Sequence, residues 1–171
     1  MKRMLSGLIA LMLCLLLVSA PAFAESANKA YLQTILDGLD ARGFEYTLNS
    51  FDDSDGYYAF YISIDCDYTT YEMRVWIGKD EDTGTPIAHI EVKNIITYDA
   101  ARVDEVKASC NVLNYDCYFA RYYVTTFDTA VALFSEIPFA PDSVGEIVPF
   151  VIESIASNIN SNYYRISRYI K

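Results

Sequence analysis

Tyr57-Tyr58-Ala59-Phe60-Tyr61-Ile62-Ser63-Ile64-Asp65, followed by Tyr71-Glu72-Met73-Arg74-Val75-Trp76-Ile77, decides the fold. In an extended chain successive side chains point to opposite faces. The first segment then places Tyr58, Phe60, Ile62 and Ile64 on one face, with Tyr57, Ala59, Tyr61 and Ser63 on the other. The second sets Tyr71, Met73, Val75 and Ile77 opposite Glu72, Arg74 and Trp76. After a charged loop, Lys79 to Pro86, the run Ile87–Ile95 repeats the alternation, with Ala88, Ile90 and Val92 on one side. Connections this short join antiparallel neighbours, because a parallel crossover needs about a dozen residues or more.

Working outward, Leu32, Ile35, Leu36 and Leu39 recur at helical spacing within 26–42, and Gly43 stands where a left-handed cap belongs. From Phe44 the period becomes two, through Tyr46 and Leu48, and Asp52–Gly56 reads as a turn. Asp99 is placed to cap a second helix from about Ala100 to Leu113, with Val103, Val106, Cys110 and Leu113 inward and Asn114 at its exit. The strands Tyr118–Thr126 and Ala130–Ile137 then form a hairpin ended by Pro138 and Pro141. A last helix starts at Ser143, with Glu146 at the capping-box position; Ile147, Val148, Val151, Ile152, Ile155 and Ile159 give it a broad apolar face. Pro149 in its second turn predicts a kink. The expected fold is α+β, an antiparallel sheet packed on helices in the order α-β-β-β-(β)-α-β-β-α, its outer face open to water.

Lys2 and Arg3, the apolar run Leu8–Val18 and Ala22-Phe23-Ala24 form the pattern of a signal peptide over residues 1–24. The apolar run is shorter than the roughly 20 residues that span a bilayer, so no stable membrane insertion is expected after cleavage. The expected product is one extracytoplasmic domain, residues 25–171. Cleavage removes Lys2 and Arg3 and no acidic residue, taking the net charge from −10 to −12. So acidic a surface repels phosphate backbones and anionic membranes, and nucleic acid is not an expected partner.

The sequence offers no catalytic set. His89 is the single histidine, and GxSxG, HExxH and Gly-rich phosphate loops are absent. Beyond the signal segment lie Cys66, Cys110 and Cys117, without CxxC spacing; an odd count allows one internal bridge at most, and spacing leaves open whether Cys110 and Cys117 form it. Asp52, Asp53, Asp55 and Gly56 depart from a calcium loop, which would put Phe51 at position one and Ile62 at position twelve. Asp80, Glu81, Asp82 and Gly84 fail similarly. No catalytic residue, cofactor or metal site is expected.

The chain holds fifteen Tyr, nine Phe and one Trp. Tyr57, Tyr61, Arg74 and Trp76 share the outward face, and aromatic and Arg side chains together are typical of interfaces. They are the candidate partner-binding set, for a protein or peptide partner, a second copy of this chain included. The competing reading is packing, since aromatic residues favour strands anyway. A separate class is a secreted inhibitor acting through Lys79–Pro86, or a hydrolase built around His89.

The run Cys110-Asn111-Val112-Leu113-Asn114, the hairpin after it, Pro138 and the long closing helix resemble the YbjN-like family, described as sensory-transduction regulators. The resemblance implies a fold similar to type III secretion chaperones, α-β-β-β-α-β-β-α, and a chaperone-like or regulatory role without catalytic residues. The chain departs from that pattern in its export signal and in the additional strand Ile87–Ile95.

Overall fold

The computed structural model describes residues 27–52 and 58–168. The predicted signal segment, the turn after Asp52 and Tyr57 lie outside them. Helix α1 is described over residues 27–41, and Gly43, at φ +66°, ends it as predicted. Four strands follow: β1 (Thr47–Asp52), β2 (Ala59–Asp65), β3 (Thr70–Lys79) and β4 (Pro86–Thr97). Helix α2 (Val103–Asp116), the hairpin β5 (Arg121–Thr125) and β6 (Ala130–Pro138), and helix α3 (Val144–Ser167) complete the order. The sheet runs β1-β2-β3-β4-β6-β5 and every pairing is antiparallel.

The alternation sorts the strands as expected. Tyr58, Phe60, Ile62 and Ile64, with Tyr71, Met73, Val75, Ile77, Ala88, Ile90 and Val92, are all buried in one cluster. Leu32, Ile35, Leu36 and Leu39 of α1, Val106, Cys110 and Leu113 of α2, and Val148, Ile152 and Ile155 of α3 belong to the same cluster. All three helices therefore seal one face of the sheet. No described helix covers the other, and none is long and apolar enough to cross a membrane.

The helices meet closely at one crossing. A Cβ on Gly38 of α1 would lie 2.2 Å from the Gly145 carbonyl oxygen and 2.7 Å from Pro149 Cγ of α3. Pro149 has no N–H for the carbonyl four residues before it, which is that of Gly145. The glycine backbone packs on this carbonyl, and α3 continues through Pro149 to Ser167 as one helix.

Three local expectations are corrected. Ser143 does not close a capping box: it makes no side-chain cap, and its hydroxyl donates to the Ala140 carbonyl at 3.0 Å. Asn114 is not a left-handed exit, because α2 runs on to Asp116. Its amide instead grips Tyr122, accepting from the backbone N–H at 2.6 Å and donating to the carbonyl at 2.9 Å. The predicted strand from Tyr118 begins at Arg121 for a related reason, since the Phe119 carbonyl is taken by the Ser135 hydroxyl. Asp99 does cap the entry to α2, accepting from the Ala101 N–H of a short 3₁₀ turn at 3.0 Å.

Both sheet edges are blunted. The Asn114 amide occupies the backbone groups of β5 at Tyr122, and a bulge between Leu48 and Ser50 breaks the register of β1. Open, regular edges invite strand addition; capped or bulged ones resist it.

Candidate functional site

The helix-free face is built from two rows that the strand registers align. One runs Ser50–Tyr61–Arg74–Glu91–Phe134–Arg121, crossing all six strands. The other runs Asp52–Ala59–Trp76–His89–Glu136. Every residue in a row stands directly opposite its neighbour, the arrangement in which cross-strand pairs interact most.

Aromatic stacking ties the rows together. The Trp76 and His89 rings lie 4.9 Å apart with 10° between their planes. That distance matches the spacing of adjacent strands, about 4.8 Å, so the rings stand side by side and turn their edges toward solvent. Phe134 follows at 6.0 Å from both rings. The Arg74 guanidinium also lies over the Trp76 ring, 4.5 Å from its centre and 5.9 Å from that of Tyr61. Small residues make room beneath. Ala59 and Ala132 are fully buried without joining the helical core, and a Cβ on Gly78 would come within 2.5 Å of His89 Nε2.

Charged groups complete the layer. Glu91, 14% exposed, faces Arg74 at 3.6 Å and Lys93 at 3.5 Å, and accepts from the Tyr123 hydroxyl at 3.2 Å. Glu136 lies 3.3 Å from His89 Nδ1. Asn49 of the β1 bulge donates to Ser63 and to Glu72, at 2.8 and 3.0 Å. Beside the stack, Tyr61, Glu72, Arg74, Glu91, Lys93 and Asn94 line a groove of about 430 Å³. Asn94 sits there at φ +53°, in the irregularity that bends β4 between Val92 and Ile96. Burial raises the Tyr61 phenol, with Asp52, Glu72 and Glu91 adding to the effect, so it stays protonated as a donor. Burial likewise lowers the His89 imidazole, with Glu136 opposing, which favours the neutral ring at pH 7.

Of the predicted set, Tyr61, Arg74 and Trp76 come together, while Tyr57 lies outside the described residues. Sequence reasoning missed the part played by His89, Phe134, Glu91, Glu136 and Tyr123. Alternation alone put His89 and Glu91 on the outward face, but Phe134 and Glu136 reach them through the β4–β6 pairing, which joins strands separated in the chain by α2 and β5.

Asp80 accepts from the Thr83 N–H and hydroxyl at 2.7 and 2.8 Å and from the Asp82 N–H at 3.1 Å, so its carboxylate folds the Lys79–Pro86 loop onto itself. These bonds hold it below the usual carboxylate range. All three described cysteines are unpaired. Burial raises the Cys66 thiol and pushes Cys110 up to about 11, whereas a reactive cysteine needs a lowered value. Among the described residues no three His, Cys, Asp or Glu are grouped to hold a metal ion. No family model matches the chain, and no curated protein matches it.

Proposed function

We propose that this chain is an exported, non-enzymatic binding protein of the chaperone-like or regulatory kind, and that it holds a protein partner on the helix-free face of its sheet. One observation carries the reading: the Arg74–Trp76–His89–Phe134 stack lies partly buried, its remaining surface open, on a face that no described helix covers, while three helices seal the opposite face. Aromatic and Arg side chains held rigid before contact lose little entropy when a partner arrives.

The charge pattern favours the same use. Within the two rows Arg74 and Arg121 stand against Asp52, Glu91 and Glu136, so the rows carry one net negative charge on a chain of net charge −10. A partner meets less repulsion there than on the acidic remainder. The ring faces are spent on one another, which leaves edges, a guanidinium and carboxylates for contact. Those groups suit the side chains and backbone of a protein better than the flat face of a sugar or base. With both edges blunted, docking uses the face rather than strand addition.

The test uses the purified chain as bait in the fluid of the producing cells, with the captured partner identified by mass spectrometry and its affinity measured after purification. Trp76→Ala and Tyr61→Ala are expected to keep the wild-type circular dichroism and to weaken affinity by roughly tenfold or more, as central aromatic anchors do. Equal affinity for wild type and both variants would contradict the reading.

A further inference from the structure

We infer that the helix-free face is acid-sensitive, and that a proton taken up by His89 loosens the Trp76–His89–Phe134 stack on which docking is proposed to depend. The inference rests on the docking reading for its biological meaning and on geometry for its mechanism. The His89 ring is held between Trp76 and Phe134, its side chain 17% exposed. Nδ1 is buried without a hydrogen-bond partner, and Nε2 lies against the backbone of Gly78, where even a methyl group would collide. A neutral ring suits this slot. An imidazolium has two N–H donors and needs water or acceptors at both ends.

The charged groups around the ring supply an acceptor at one end only. On β6, Glu136 faces Nδ1 at 3.3 Å, but it is largely exposed and solvent screens its attraction. On β3, Arg74 already lies over Trp76 at 4.5 Å, so a second cation on the same ring shares its π-system and meets like charge beside it. On β4 itself, Glu91 is engaged by Arg74, Lys93 and Tyr123. On β5, Arg121 stands opposite Phe134 and adds another positive charge. Protonation therefore favours a ring that swings out to water, and Trp76 loses the cover on one of its faces.

Trp76 is the single tryptophan and His89 the single histidine, so one fluorophore reports on one titrating ring. The experiment is acrylamide quenching of Trp76 emission in the purified chain between about pH 7.5 and pH 4.5, with circular dichroism followed in parallel. It needs no partner, so its outcome is separate from that of the capture experiment. The quenching constant is expected to rise on acidification with a midpoint below the ordinary histidine value of 6.5, while circular dichroism stays constant. His89→Gln abolishes the rise. Glu136→Gln removes the one favourable charge and moves the midpoint down by roughly half a pH unit or less. A wild-type constant that does not change with pH, or an equal rise in His89→Gln, overturns the inference. A rise that coincides with loss of circular dichroism reports unfolding of the whole chain, and overturns it as well.

Discussion

Met73 and Trp76 are three residues apart on β3, and they point to opposite faces of the same sheet. Met73 is fully buried beneath the helices, whereas Trp76 is half-buried among its own cross-strand neighbours. The first face hides its apolar groups by adding a layer. The second does so by stacking Arg74, Trp76, His89 and Phe134 on one another and flanking them with ion pairs. A layer excludes water completely, while a stack leaves ring edges and polar heads at the surface. One face thus supplies the stability and the other remains available for contact.

This division predicts very different costs for substitutions on the two faces. Phe60→Ala on the sealed face removes a fully buried ring and is expected to lower stability by about 3–5 kcal/mol in urea unfolding. A loss below about 1 kcal/mol would mean that the helices do not pack there as described. Next in size is Gly38→Ala, which drives a methyl group into the Gly145 carbonyl and the Pro149 ring. The expected loss is about 1–3 kcal/mol, read in the same titration.

Much of the sealed face was legible in the sequence. Period-two runs from Tyr58 to Val92 and helical stripes such as Leu32–Leu39 are signals carried by single segments, and burial obeys them. The open face was legible only in part. Tyr61, Arg74 and Trp76 could be placed outward, but the rows that make them a unit come from register across four hairpins, the long-range β4–β6 pairing and the bends at Asn49 and Asn94. Asn114 and Ser143 were misread for a similar reason. Each has a side chain suited to a local cap, yet its partner lies elsewhere, eight residues along the chain for Asn114 and in the preceding turn for Ser143. The family resemblance gains no support from the comparisons, and the four strands before α2 are one more than its stated order.

On the open face, Trp76→Ala is expected to cost about 1–2 kcal/mol, since the indole is only partly buried and its loss leaves the core untouched. A cost matching that of Phe60→Ala would erase the distinction between the faces. The smallest effect concerns pH. The folded chain binds the His89 proton less readily than the unfolded chain does, because burial lowers its pKa from 6.5. Its contribution to stability is complete above that unfolded value and is lost as pH falls through the folded one. Urea midpoints for wild type and His89→Gln should therefore diverge above about pH 6.5 and converge on acidification. A constant difference at every pH would remove His89 from the account.

The most direct measurement of the central claim is oxidative footprinting of the chain in the fluid of the producing cells, compared with the purified chain alone. Protection is predicted at Trp76 and Tyr61, with none at Tyr115 and Phe127, which are 90% and 97% exposed at the end of α2 and in the β5–β6 turn. Protection of those two, with Trp76 and Tyr61 labelled equally in both settings, would contradict docking on the helix-free face.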